Sequence, residues 1–321
     1  MPRIMYGNPA DEYGTSGVFS NPVPRINAVR PAYETDTVNN NVFAENLGKV
    51  ATSFMRIKPS YADSWLLGSP EDLEVIAQYR IPGADVVVGM TDGETEYNLM
   101  PDEYAMNDSV NAVISKVIDE VRDSYRKRGG KMNRMSVLSD AKSRILGYSD
   151  TMEAVYGNNC LDLDSAIEGM CETVYRYTAG LGIFEILLAD PKLEDIYIDA
   201  PCDKNRVHVT MNGIAGVNSN LRCRTNIMVD RKEIMNLINV LKKESGLSFC
   251  ESEPVLETDM TGREARATVV GYPMSPNGDA VSIRKHSVRP WTLSRLIANG
   301  TVDGETAGLL SYLVDNRCTF L

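Results

Sequence analysis

Hydrophobic and polar positions along this chain alternate between a period of two and a period near 3.6. LEVIAQYRI, from Leu73 to Ile81, reads as a strand. ADVVVGMTDGETEYNLM follows as a β-β unit whose Thr91-Asp92-Gly93 marks a hairpin turn. The period then changes. In MNDSVNAVISKVIDEVRDSY, Val110, Val113, Ile114, Val117, Ile118 and Val121 share one helical face, and Asn107, Asp108 or Ser109 can cap its start. Further helices are predicted over residues 135–148 and 161–178.

A second block opens at GLGIFEILLADPKLEDIYIDAP. Here a helix over 184–189 is stopped by Asp190-Pro191, and a strand over 196–198 ends near Ala200-Pro201. RVHVTMNGIAGVNSNL reads as a hairpin turning at Asn212-Gly213. In DRKEIMNLINVLKKESG, Ile234, Leu237, Ile238 and Leu241 face inward, and Gly246 ends the helix. Strands follow at 265–270 and 280–284 around the loop GYPMSPNGD, then helices at 293–299 and 304–314. Beyond the break at Asp315-Asn316, Cys318-Thr319-Phe320-Leu321 reads as the start of a buried strand. Residues 1 to about 70 are rich in Asn, Pro, Tyr and Gly and nearly aperiodic, so an irregular extension is expected there, with one short helix near 43–55.

This order of elements predicts an α+β protein. A small N-terminal α/β domain with helices (71–180) would be followed by a PAS-like mixed αβ domain with an antiparallel sheet (181–300). Residues 1–70 are the extension, and 301–321 begin something further. The 321 residues, 43% apolar and 24% charged, suit a globular chain of about two domains. A net charge of −11 argues against a general nucleic-acid surface, since phosphate neutralisation needs excess Lys and Arg. The basic stretch Arg122, Arg126, Lys127, Arg128, Lys131 and Arg134 reads as a solvated helix end and linker. Six scattered cysteines without zinc-knuckle or redox spacing, and only two histidines, predict no metal site and free thiols in a reducing cytoplasm. With no apolar h-region and no run of about 18 apolar residues, neither a signal peptide nor a membrane span is expected.

No nucleophile elbow, HExxH, GxGxxG or Walker phosphate loop occurs, so no self-contained active site is predicted. Acidic pairs such as Glu194-Asp195 read as solvated turns. The unusual segment is TGREARATVVGYPMSPNGDAVSIRKHSVRP. Arg263 and Arg266 open one strand, and Ser282-Ile283-Arg284-Lys285 lies on the next. Alternation sets Val281 and Ile283 on one face and Ser282 and Arg284 on the other. Converging guanidinium groups suit a phosphate. Periodicity alone favours solvent-facing arginines paired with Asp279 or Glu264.

Several pieces read as a series shift that balance. YNLMPDE before an amphipathic helix, GLGIFEILLADPKLEDIYIDAP, RVHV, RTNI, KKESGLSFCESEPVLE, REARATVV…SPNGDAVSIRK and TLSRLIANGTVDGETAGLL occur in order over roughly residues 70–321. Together they resemble the N-terminal half of the secretion ATPases, which drive type II and type IV secretion, type IV pili and the archaellum, most closely the archaeal members.

The resemblance implies that residues 304–321 lead toward a RecA-like motor domain with Walker A and Walker B, of which nothing is present. The chain would be the N-terminal part of such a motor, inactive alone and binding no cofactor tightly by itself. It would act in a homo-hexamer with its own motor domain and neighbouring subunits, with ATP and Mg in the full-length protein. It would sit in the cytoplasm on the inner face of the membrane, against a polytopic platform protein, without nucleic acid. In that family, arginines of this half reach the nucleotide phosphates, and the resemblance implies the same here. Arg284 of SIRK matches that position directly. For the second arginine, Glu264 stands in the family's place between Arg263 and Arg266, and SGR is altered to Ser245-Gly246-Leu247. Lys285 and Arg289 are further phosphate candidates, and Leu293, Leu296 and Ile297 would line an adenine pocket or simply belong to the core. The alternative is a non-catalytic interaction and oligomerisation module that docks on the platform protein.

Overall fold

A computed structural model describes residues 58–70, 72–128, 132–148, 150, 160–218, 221–286 and 291–319. The expected extension with its helix near 43–55, residues 129–131 of the basic stretch, and Arg289 lie outside them. Eleven strands are described: β1 (Ser64–Leu66), β2 (Glu74–Ile81), β3 (Ala84–Thr91), β4 (Glu94–Pro101), β5 (Leu193–Ile198), β6 (His208–Met211), β7 (Cys223–Thr225), β8 (Ile227–Val229), β9 (Val255–Met260), β10 (Ala265–Val270) and β11 (Ala280–Lys285). The described helices are α1 (Asp108–Arg128), α2 (Arg134–Ile145), α3 (Cys160–Thr178), α4 (Ile183–Ala189), α5 (Arg231–Ser245), α6 (Leu293–Ala298) and α7 (Gly304–Asp315). The fold is α+β.

Nine strands form one sheet in the order β2-β3-β4-β7-β6-β5-β11-β10-β9. Among the described strands only β4 and β7 pair in parallel; the other neighbours are antiparallel. That parallel pair joins the strands of residues 74–101 to those of 193–285. The short β1 pairs with β8 in a separate ladder and ties residues 64–66 to the entry of α5.

Local chemistry explains most of these elements. Asp92 and Gly93 both have positive φ (52° and 78°), which gives the two-residue turn joining β3 to β4 the twist that flanking strands need. The Asn107 side chain accepts the Ser109 N–H at 2.8 Å at the start of α1, and Asn133 does the same for Ser136 at α2. All six apolar positions read on α1 are buried, as are Ile234, Leu237, Ile238 and Leu241 on α5. Gly246 takes the left-handed conformation that closes α5, its N–H bonded to the Lys242 carbonyl.

Two expectations are corrected, and some strands were not expected at all. Asn212-Gly213 is not the tip of a tight hairpin. Met211 pairs backward with Leu193 of β5, the Asn212 N–H bonds the Lys192 carbonyl, and β6 meets its other partner, β7, only after a long loop. The strand read after Asp315-Asn316 is absent from its described part. Arg317 turns left-handed (φ 54°), its N–H bonds the Val314 carbonyl, and the Cys318 N–H bonds that of Leu313. This paired closure finishes α7 and leaves Cys318 and Thr319 outside any strand. Finally, the short β1, β7 and β8 were not foreseen, nor was β9. Its six residues are half acidic or hydroxylated, and β9 is held as an edge strand by β10 alone.

Candidate functional site

From β9 to β6, one face of the sheet packs on the core. The other carries most of the polar members of the alternation, with Val255 exposed among them. On β11, Val281 and Ile283 are buried while Arg284 is exposed, as the alternation predicts. Register then decides who meets whom. Arg266 stands directly opposite Arg284, Asp259 opposite Arg266 on its far side, and Asp195 opposite Arg284 on its far side. The result is a row across four strands, Asp259–Arg266–Arg284–Asp195, and Thr210 of β6 continues it.

The two arginines are held differently. Arg266 lies 3.1 Å from Asp259 through Nε and 3.5 Å from Glu257 through Nη1. Arg284 is 79% exposed and approaches Asp195 Oδ1 only to 3.5 Å, through Nε. Asp195 itself is fixed: its side chain is 14% exposed, and Oδ2 accepts hydrogen bonds from the Thr210 and Tyr197 hydroxyls, both at 3.1 Å. Burial and the nearby Asp195 carboxylate raise the Tyr197 hydroxyl above its usual range, so it stays protonated and donates. The Arg222 guanidinium stacks on the Tyr197 ring at 3.9 Å. Chemically, the row offers two permanent cations side by side, each with a carboxylate neighbour.

The other arginine read at the start of β10 goes elsewhere. Gly262 (φ 73°) and Glu264 (φ 46°) reverse the chain between β9 and β10. Arg263 is thereby turned toward the helices, where Nε and Nη2 bond Glu185 Oε1 and Nη1 bonds Glu244 Oε1. Its side chain is only 11% exposed. Lys285, one residue beyond Arg284, points to the opposite face by the pleat and donates to the Asp190 carbonyl. Burial lowers its pKa. The structure therefore brings Arg266 and Arg284 together and holds Arg263 and Lys285 apart from them. Leu293 and Leu296 of α6 are half-buried and Ile297 is exposed.

Two buried polar networks lie in the core, and neither was read from sequence. Asp190, fully buried, accepts the Tyr79 and Tyr97 hydroxyls on Oδ2 (2.8 and 2.9 Å) and the Lys192 N–H on Oδ1 (2.9 Å). It thus fastens β2 and β4 to the turn after α4. Glu103 pairs with Arg176 at 2.5 Å inside the core. Adjacent to it, Glu233 of α5 accepts the Ile183 N–H at 3.3 Å. Burial, reinforced by the Asp63 carboxylate, pushes the Glu233 carboxyl up to about 7. The available signal was a charged residue at an inward position of a helical pattern, which period alone cannot tell from a solvated one.

No family model matches the chain. Uncharacterized protein MJ0781 of Methanocaldococcus jannaschii is 28% identical over 150 residues, 46% of this chain and 19% of that protein. Uncharacterized protein MJ0900 of the same organism is 26% identical over 136 residues, 42% of this chain and 23% of that protein. The match therefore spans about a fifth of the length of these curated relatives. Among solved structures, the VirB11 ATPase of the Brucella suis type IV secretion system, in complex with sulphate, is 18% identical with a TM-score of 0.28, covering 39% of this chain and 34% of that one. An overlap that slight bears on neither fold nor function. Among the described residues no helix is long and apolar enough to cross a membrane.

Proposed function

We propose that this chain is the N-terminal, nucleotide-clamping part of an assembly ATPase of the secretion and pilus type. In this reading, Arg284 and Arg266 contact the phosphates of ATP held on a motor domain. The observation that carries it is the state of Arg284: exposed, reaching its nearest carboxylate only at 3.5 Å, with Arg266 as its direct cross-strand partner. Phosphoryl transfer builds charge on equatorial oxygens, and an inserted arginine stabilises that charge by an amount worth about 10³–10⁵ in rate. The ordered motifs named above, from PDE to SIRK, supply the family context.

Among the described residues no three His, Cys, Asp or Glu side chains converge on a metal position. Magnesium, in this reading, is held with the nucleotide by the motor domain, and this chain's share is the guanidinium pair. Hexameric assembly and a place on the inner face of a membrane, against a platform protein, belong to the same proposal. In the ATPase that carries this chain, Arg284→Ala is expected to lower kcat by about 10³ or more with assembly intact. Unchanged turnover would refute it.

A second reading, an interaction and oligomerisation module with structural arginines, is favoured by α7. Leu309, Tyr312 and Val314 are all exposed there, on a helix whose buried residue is Ala307. Loss of assembly on Leu309→Lys, with hydrolysis indifferent to Arg284→Ala, would select this reading.

A further inference from the structure

Two like charges directly opposite one another on antiparallel strands repel. The Arg266–Arg284 pair persists because carboxylates flank it, Asp259 and Glu257 beside Arg266 and Asp195 beside Arg284. The two ends are not alike. Asp259 is largely exposed and forms a 3.1 Å pair with Arg266. Asp195 is nearly buried and pinned by two hydroxyl donors, while its partner Arg284 is almost fully solvated and stands at 3.5 Å. That separation exceeds the roughly 2.7–2.9 Å of a well-formed charge-assisted bond. A fixed carboxylate thus faces a guanidinium that is free to move.

Resting on the reading of Arg284 as a phosphate contact, we propose that Asp195 is the built-in counter-anion of this site, displaced from Arg284 only by a ligand of two or more negative charges, of the terminal-phosphate class. The selectivity follows from the row. A monoanion that reached Arg284 would exchange one carboxylate for another charge of the same size and gain little. A phosphate with two charges and several oxygens can span both guanidinium groups, whose backbones lie about 5 Å apart across an antiparallel pair. Thr210 and Tyr197 keep Asp195 from following the guanidinium outward, so the released arginine does not carry its carboxylate along. Asp195 is therefore a positioning residue: it holds Arg284 against the sheet when no polyanion is present and sets the charge that a ligand must exceed.

The test titrates the chain with pyrophosphate, and separately with acetate, at low ionic strength. Affinity is read by calorimetry and the arginine Nε–H resonances by NMR. Asp195→Asn keeps an oxygen to accept from Thr210 and Tyr197 but removes the charge. It is expected to tighten pyrophosphate binding about fivefold and to shift the Arg284 Nε–H resonance before ligand is added. A purely structural role for Asp195 would give no gain in affinity. Asp259→Asn, at an exposed position, is expected to tighten binding less, through Arg266, and serves if Asp195→Asn does not fold. Arg284→Ala is expected to abolish binding in every background, and acetate is expected not to compete.

Equal or weaker pyrophosphate binding by the folded aspartate variants, with Arg284→Ala still abolishing it, overturns the counter-anion role and leaves the phosphate-contact reading standing. Binding absent from wild type and both aspartate variants overturns the counter-anion role and leaves the reading of Arg284 to its kcat test; binding indifferent to Arg284→Ala overturns both. Competition by acetate at equal concentration overturns the charge selectivity.

Discussion

Glu233 gives the sharpest stability prediction. Its carboxyl is buried against the Gly182-Ile183 turn, accepts the Ile183 N–H, and has its pKa raised from the ordinary 4.5 to about 7 by burial and then by Asp63. The folded state therefore binds a proton that the unfolded chain has already lost anywhere between those two values. Stability is greatest below the unfolded pKa, falls as pH rises toward 7, and is level above it. A shift from 4.5 to about 7 corresponds to about 3 kcal/mol at full development, most of which falls between pH 5 and pH 8.5.

Glu233→Gln removes the titration while keeping an oxygen for Ile183. Any fixed packing or hydrogen-bond difference between Gln and Glu is the same at both pH values and cancels in the comparison. Urea unfolding of both proteins at pH 5 and pH 8.5 is the assay, with the m-value checked for constancy. The variant should improve relative to wild type by roughly 2–3 kcal/mol between the two conditions. An equal difference at both pH values, or a variant that fares worse at pH 8.5 than at pH 5, would refute the reasoning.

Three further outcomes follow from the same structure. Gly182→Ala places a Cβ 1.9 Å from Glu233 Oε1 at a φ of +57°, so a loss of about 3 kcal/mol or more is expected in chemical unfolding. Asp190→Ala strands the buried Tyr97 hydroxyl and releases those of Tyr79 and the Lys192 N–H; about 3 kcal/mol should be lost, and Tyr97→Phe in the Asp190→Ala background should recover part of it. Arg284→Ala, at an exposed position with one long ion pair, should change stability by less than about 0.5 kcal/mol and leave the thermal midpoint in place.

Much of the architecture was legible because it depends on neighbours in the chain. The α1 stripe from Val110 to Val121, the Asp92-Gly93 turn, the Gly246 cap and the β10 and β11 strands all express local period or backbone preference. Errors arose where a local signal met a distant partner. Asn212-Gly213 has the composition of a tight turn, yet the ladder that β6 forms with β5 continues through Asn212 and sends the chain into a long loop. The short β1, β7 and β8 have only three residues each, too few for a period to show, and exist because partners far away in sequence supply their hydrogen bonds.

The candidate site divides along the same line. By itself, the sequence determined that Arg284 faces away from Val281 and Ile283, because a strand's pleat assigns faces two by two. Which of Arg263 and Arg266 would join it depended on the reversal at Gly262 and Glu264 and on the register of β10 against β11, and no periodicity encodes either. Asp195, read as an unremarkable member of an acidic pair, acquires its place only when β5 lies against β11 and β6, where two hydroxyls hold one oxygen and Arg284 stands before the other. Local preference distributes side chains between faces; tertiary pairing decides which charges meet, because it alone fixes distances between residues remote along the chain.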